Sequence, residues 1–288
     1  MSMLESRGEK TFYFFNYIFL FILALIAVYP FIYVLSASMS SPQAVIMGRV
    51  MLWPKEITWD AYHAVFKEKG IYSGYLNTLY YTVVGTFVSL ALTICGAYAL
   101  SRRRLIGKTF FNLVISFTLI FGPGTIPMYL NFRDLHLLDS RFGIIIGFAI
   151  STFNFIILRT FFQSIPEELV ESSKIDGASD AGVLFKIILP LSKASLFTIG
   201  LFYAVSRWNG YFWAMILLRS DEKLPLQVLL NKLVVQMKPS DSMMSDMFTT
   251  GETVIYATII VAIIPIIVVY PFIQKYFVKG VMIGSLKG

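Results

Sequence analysis

The sequence predicts an all-α membrane protein with six spans, and three observations carry that prediction. Of its 288 residues, 57% are hydrophobic and 14% charged, with a mean hydropathy of +0.71, whereas a soluble domain carries about 25% charged residues. The apolar residues gather into runs long enough for a helix to cross the roughly 30 Å hydrocarbon core of a bilayer. Between two of these runs lies a short basic stretch, Arg102-Arg103-Arg104 with Lys108, of the kind that fixes topology by staying on the cytoplasmic side. The net charge of +7 then reflects membrane topology and not a nucleic-acid partner. A single cysteine, Cys95, excludes an internal disulfide. His63 and His136 have no metal-ligand spacing, so no metal site is expected.

The first span covers about residues 12–36. It is too long for the apolar core of a signal peptide, although Ser36-Ala37-Ser38 offers a small-residue trio at its end; an uncleaved span is favoured. Pro30 is a possible kink. Residues 37–74 form a long polar loop with Trp53, Trp59 and Tyr62, which suit either anchoring at the headgroups or contact with an external protein. The second span, about 75–100, stops at the arginine cluster. The third, about 109–130, carries Gly122-Pro123-Gly124 and Pro127, residues that break a helix where protein or water can satisfy the backbone. The fourth covers about 142–162, with Ser151, Thr152 and Asn154 as polar positions.

A polar island follows, from Ser164 to Pro190. Ser164 and Glu167 have capping-box spacing, which predicts a helix beginning there. Asp176-Gly177 ends it, Ser179 caps a second helix, and Pro190 kinks or ends that one. Leu184, Phe185, Ile188 and Leu189 fall at one-face spacings on the second helix, which suits either docking into a groove or lying on the membrane surface. The fifth span runs about 194–218 and the sixth about 254–277, separated by a loop of residues 219–252. With the arginine cluster inside, both termini and the 164–190 island are cytoplasmic. The inside segments then hold 12 Lys and Arg against 7 Asp and Glu. No separate soluble domain or internal repeat is evident; residues 1–288 are expected to form a single transmembrane domain.

Arg207-Trp208-Asn209 lies within the fifth span. A charge at that depth costs roughly 2.5–3.5 kcal/mol on insertion scales, so it should face a cavity or a protein partner. A guanidinium and an amide suit hydroxyl groups, and an indole covers a sugar face; interhelical glue is the alternative. Asn154 and Tyr211 are weaker candidates for the same lining. No Asp or Glu falls in any assigned span, which argues against a proton-coupled carrier. No phosphate loop of the form G-x-x-x-x-G-K-[ST] is present, and no catalytic motif is found. The chain is expected to bind no ATP, Mg or other cofactor and to be no enzyme.

The island's spacing resembles the EAA loop of binding-protein-dependent ABC importer permeases. Glu171 stands in the Glu place, Ser172 and Ser173 in the two Ala places, then come Gly177 and Ile187-Ile188-Leu189-Pro190. Gly96-Ala97-Tyr98-Ala99-Leu100-Ser101-Arg102 resembles the family's span-two exit, and Asn77-Thr78 its usual Asn-Ser. Trp208-Asn209 with Tyr211-Phe212, and the tail Gly280 to Gly288, resemble the carbohydrate-uptake branch. Gly210 stands where many members place an acid, and Ala194 replaces a frequent proline. The resemblance implies a type I ABC importer permease fold with cytoplasmic coupling helices, in the cytoplasmic membrane of a prokaryote. It also implies a homologous second permease, a cytosolic ATPase dimer, an extracellular solute-binding protein and a carbohydrate substrate moved by alternating access. The ATPase-coupling residues it points to are Glu171, Ser172, Ser173, Asp176, Gly177, Phe185, Ile187, Leu189 and Pro190. The substrate pathway would involve Arg207, Trp208, Asn209, Tyr211 and Asn154. A stand-alone carrier or facilitator, and a membrane scaffold, are the other readings.

Overall fold

The computed structural model describes residues 7–67, 69–102, 104–236, 251–268 and 271. Among them every regular element is helical. Arg103, the 280–288 tail and the last turns of the sixth predicted span lie outside the described residues. The chain divides into two units, residues 1–69 with 232–264, and residues 70–231 with 265–288.

The first unit is built on α1 (Arg7–Ser38), whose 32 residues correspond to about 48 Å of helix. It has no polar stripe, and its Phe, Ile and Leu side chains stand exposed along the whole length, as a helix with an apolar surface all round does in lipid. The helix runs through Pro30 without a break. At its end the serine-rich segment is a structural joint. Ser36 Oγ donates to Leu52 O at 2.7 Å, Ser40 Oγ to Ser36 O at 2.6 Å, and Ser38 shares a 2.8 Å hydrogen bond with Tyr62. Ala37, Ala44, Val45 and Val50 close a small core against Tyr33 and Tyr256. The last two rings meet edge to face at 5.9 Å. Within this joint, Ser41 caps α2 (Pro42–Ile46) by accepting from Ala44 N, and α3 (Asp60–Lys67) follows. Trp53 and Trp59 remain largely exposed.

The second unit contains α4 (Lys69–Ser101), α5 (Lys108–Ile120), α6 (Thr125–Asp134), α7 (Arg141–Ile146), α8 (Thr152–Gln163) and α9 (Glu167–Ile175). Then come α10 (Asp180–Val183), a π turn (Leu184–Ile188), α11 (Leu189–Leu191), α12 (Lys193–Trp208), α13 (Phe212–Leu217) and the start of α14 (Leu226–Gln236), whose residues from Lys232 on belong to the first unit. With the later helix Gly251–Val268, α1 and α4 are long and apolar enough to cross a membrane. The pair α5–α6, bent by 119°, and the stretch Asp180–Leu191 with α12, bent by 84°, bring the number to five. The first bend falls where Gly122-Pro123-Gly124 predicts a break, with Gly124 at φ +80°. The predicted fourth span is two helices, α7 and α8, separated at residues 147–151.

Close approach explains that separation. A Cβ on Gly147 would lie 2.1 Å from Phe132 Cζ, so the chain passes flat against α6 here. Ser151 then restarts the helix by accepting from Asn154 N. One core gathers Leu158, Phe162, Val183, Ile188 and Ile199, all fully buried; another holds Tyr81, Phe132, Ile145, Leu217 and Leu224.

Polar ties clamp the segment 217–226. Asn77 Nδ2 donates to Glu222 O at 2.7 Å and Leu224 O at 3.1 Å, and Leu226 N donates to Thr78 Oγ1 at 2.8 Å. This gives the Asn77-Thr78 pair its physical role. Asp139 is the second tie. Its carboxylate accepts from Arg219 N and Ser220 N at 3.0 Å, Ser220 Oγ at 2.6 Å and Lys223 Nζ at 2.8 Å. The Lys223 and Ser220 donors hold its carboxyl well below the ordinary carboxylate range.

Candidate functional site

Two places in the second unit carry the residues singled out above: a cavity at the end of α12, and the surface of the 164–192 loop.

The cavity encloses about 530 Å³. It exists because α12 stops at Trp208, residues 209–211 are not helical, and α13 starts beyond; the start of α8 and the 144–148 segment close the opposite wall. Asn154, Arg207, Asn209 and Tyr211 all line it. Trp208 does not. It is buried edge-on against Tyr75 at 5.9 Å, because one residue's rotation about a helix, about 100°, turns it off the face that carries Arg207. Its indole N–H has no hydrogen-bond partner among the described residues.

Arg207 forms part of the wall, with its donors directed into the protein. Nη1 donates to Ile144 O at 2.7 Å; Nη2 donates to Phe148 O at 2.8 Å, Ile145 O at 2.9 Å and Ser89 Oγ at 3.1 Å. The guanidinium thus collects the carbonyls at the end of α7, which lack helical partners. Space for it is left by Gly85, where a Cβ would come within 3.0 Å of Nε. One turn earlier on α12, the Tyr203 hydroxyl accepts from Ser151 N at 3.0 Å and shares a 2.7 Å bond with Thr93. Arg207 and Tyr203 together pin both ends of the 147–151 break. Asn209 turns its amide back to Val205 O at 3.0 Å.

Sequence reasoning missed most of the aromatic wall: Phe153, Phe202, Tyr203, Phe212 and Trp213. The visible signal was aromatic density around the polar positions. It also passed over Arg159, which links α8 to α5 by donating to Asn112 Oδ1.

The loop differs in detail from its prediction. The capping box does not form. Ser164 ends α8 and donates its hydroxyl to Phe161 O, and α9 begins after Pro166, whose ring presets the backbone and has no N–H to satisfy. Asp176 and Gly177 end α9, with Gly177 at φ +83°, a conformation open to glycine. Ser179 caps α10 by accepting from Gly182 N at 3.1 Å. Lys174 meets Asp180 at 2.8 Å across the turn and holds that carboxyl below its usual range.

The second helix neither ends nor kinks at Pro190; it continues to Leu191 and turns at Ser192. The π turn before Pro190 widens the coil, displacing the carbonyls its ring would strike. Widening also reapportions the predicted apolar face. Leu184 and Ile188 point into the core, while Phe185 is 66% exposed. Between α9 and this helix lies a shallow groove of about 430 Å³, with Leu169, Ile187, Pro190 and Leu191 as its apolar part and Ser172 and Asp176 at its polar edge. Glu171 and Gly177 are exposed and lie outside its lining. The Ser172 and Ser173 hydroxyls are turned back onto Leu169 O and Val170 O. Of the coupling residues expected from the resemblance, Ser172, Ser173, Asp176, Ile187 and Pro190 line this groove, Phe185 is exposed outside its lining, and Leu189 packs against the buried core. On the other side of α9, Arg102, Arg104 and Glu171 line a second hollow of about 370 Å³.

Comparison with known proteins concerns the chain as a whole. The family model described as "Binding-protein-dependent transport system inner membrane component" matches residues 9–283. The polygalacturonan/rhamnogalacturonan transport system permease protein YtcP of Bacillus subtilis is 45% identical over 279 residues, covering 94% of this chain and 96% of that protein. The arabinooligosaccharides transport system permease protein AraQ of Bacillus subtilis is 27% identical over 276 residues, covering 94% of each. A crystal structure of a bacterial ABC transporter involved in the import of the acidic polysaccharide alginate superimposes with a TM-score of 0.89 at 46% identity, covering 96% of this chain and all of that one.

Proposed function

This chain belongs to the family of binding-protein-dependent transport system inner membrane components, and from that premise we propose that it is the permease subunit of an ATP-driven importer of oligosaccharides or polysaccharide fragments. The relatives at 45% and 46% identity both serve polysaccharide uptake. The observation that carries the reading is the 530 Å³ cavity at the end of α12, walled by aromatic rings and by the amides of Asn154 and Asn209. Aromatic faces cover the apolar faces of sugar rings, and neutral amides exchange hydrogen bonds with hydroxyls.

In this reading the 164–190 loop is cytoplasmic and docks into a separate ATPase pair through the exposed surface around Glu171, Gly177, Phe185 and Pro190. The chain itself binds no nucleotide and no metal. A homologous second permease completes the pathway, and an extracellular binding protein delivers the substrate. Both termini are cytoplasmic. The cavity at the end of α12 takes part in alternating access, and its wall is held by Arg207 and Tyr203.

The test is uptake of labelled oligosaccharides by cells with and without this chain. Loss of ATP-dependent uptake on deletion, restored by the intact chain, is the expected result. Uptake that persists after ATP depletion would identify a carrier and overturn the proposal.

A further inference from the structure

The stretch that follows α1 is packed in the reverse sense to a loop in water. Its small and hydroxylated residues turn inward: Ala37, Ser38, Ser40 and Ala44 are 1% exposed or less. Its large apolar residues turn outward. Trp53 is 78% exposed, Met51 68%, Ile57 62% and Trp59 55%. Trp59 is held in that position, since its ring leans on Tyr62 at 5.6 Å and the Tyr62 hydroxyl is bonded to Ser38.

The depth of this segment follows from α1. The uncharged run from Phe12 to Leu35 makes about 36 Å of helix, against a hydrocarbon core of roughly 30 Å. Glu9 and Lys10 keep the other end out of the core. Ser36 therefore lies within about 6 Å of the hydrocarbon edge, in the headgroup layer, and a tilt of α1 brings it deeper. Residues 52–58 stay at that level because hydrogen bonds fold them back along the helix end. Ser36 Oγ donates to Leu52 O at 2.7 Å, Ser41 N to Lys55 O at 3.2 Å, Lys55 N to Ser40 Oγ at 3.0 Å, and Thr58 N to Met39 O at 3.0 Å. Indole rings favour the headgroup layer. Lys55, exposed within the segment, and Arg49 before it suit lipid phosphates. The neighbouring acids are engaged by the chain itself: Glu56 accepts from Ser41 Oγ, and Asp60 from Thr58 Oγ1.

We propose that residues 51–59 form an interfacial anchor, whose Trp53, Ile57 and Trp59 side chains lie at the boundary between lipid headgroups and acyl chains. Their partner is the bilayer and not an external protein, and the anchor fixes the depth of the end of α1. It requires only that α1 crosses the bilayer, and is independent of what the chain transports.

The test is tryptophan emission from the complete permease–ATPase complex in nanodiscs of phosphatidylcholine and phosphatidylglycerol, ordinary or brominated on the acyl chain near the glycerol. The chain has four tryptophans, so Trp53→Phe and Trp59→Phe are measured alongside, and the difference from the unaltered complex isolates each ring. Both side chains are more than half exposed, so neither change disturbs the fold. Each isolated component should lose most of its emission in brominated nanodiscs, and should be unchanged by aqueous iodide or by added binding protein. As a second measurement, benzoylphenylalanine in place of Ile57 should cross-link to lipid on irradiation.

Emission that bromine leaves unaltered would overturn the anchor. Quenching by iodide would then show that the rings face water and are open to an external partner; protection from iodide would show that protein covers them. Cross-links from position 57 to the binding protein or to another subunit, in place of lipid, would overturn it equally.

Discussion

Placing an aspartate at Gly177 separates the folding role of the loop from its coupling role. The backbone there has φ +83°, and a Cβ would meet no atom within 4 Å. The substitution therefore creates no clash within the chain. Its internal cost is the left-handed conformation, about 1–2 kcal/mol for an ordinary residue and less for Asp, which tolerates it better. That is too little to unfold a protein of 288 residues or to block membrane insertion, and it should lower a thermal midpoint by no more than a few degrees. What the new side chain does meet is whatever docks on the exposed surface beside it. Gly177→Asp should therefore reach the membrane at normal abundance and reduce uptake at least tenfold, while ATP hydrolysis by the reconstituted complex persists. Gly48 provides a matched control. It also has positive φ, +65°, and open space within 4 Å, but it follows α2, in the stretch the sequence predicts to be an external loop. Gly48→Asp carries the same backbone cost and should leave uptake within about twofold. Normal uptake by Gly177→Asp would refute the docking argument. An equal loss in Gly48→Asp would show that backbone strain, and not docking, is responsible.

Two further outcomes follow from the hydrogen-bonded ties. Tyr203→Phe strands Ser151 N–H and the Thr93 hydroxyl, and should cost about 1–3 kcal/mol, read as a lower thermal midpoint in detergent with the 147–151 amides exchanging faster. Asp139 has its folded carboxyl pKa depressed by Lys223 and Ser220, so the stability it lends is complete above the unfolded value near pH 4 and is lost as pH falls through the lower folded value. Protection of residues 217–224 in hydrogen exchange should accordingly stay flat from about pH 8 to pH 5. Asp139→Asn should lower that protection at every pH in the range, by about 1 kcal/mol.

How much of this was legible in the sequence depended on whether the signal was local. Gly122-Pro123-Gly124 announced its bend because those residues disfavour continued helix on their own. Gly177 and Ser179 likewise marked a helix end and a helix start that need only nearby backbone. The capping box failed because Pro166 presets the start of α9 two residues beyond Ser164, and the local rule for proline overrode the rule for spacing. The break in the fourth span was hidden, since its cause is the ring of Phe132 against Gly147, a tertiary contact. That Trp208 does not share the cavity with Arg207 was hidden for a similar reason. Neighbouring residues on a helix point in different directions, and only packing against Tyr75 decides which one faces the cavity. The π turn has no sequence signature that ordinary helical periodicity detects, so Phe185 was grouped with the buried Leu184.

The right-angle turn at Ser192 has a mechanical meaning. The 180–191 segment and α12 are two arms set at 84°, and a body of that shape behaves as a bell crank. A push along one arm, in the direction that segment runs, is delivered at the other as a motion across the axis of α12. The far arm ends at Tyr203 and Arg207, which are fastened to the frame of the 144–151 segment at four backbone carbonyls and amides. Movement at the loop would thus reach the cavity as a tilt of one wall with its attached segment, without first breaking that wall's own hydrogen bonds.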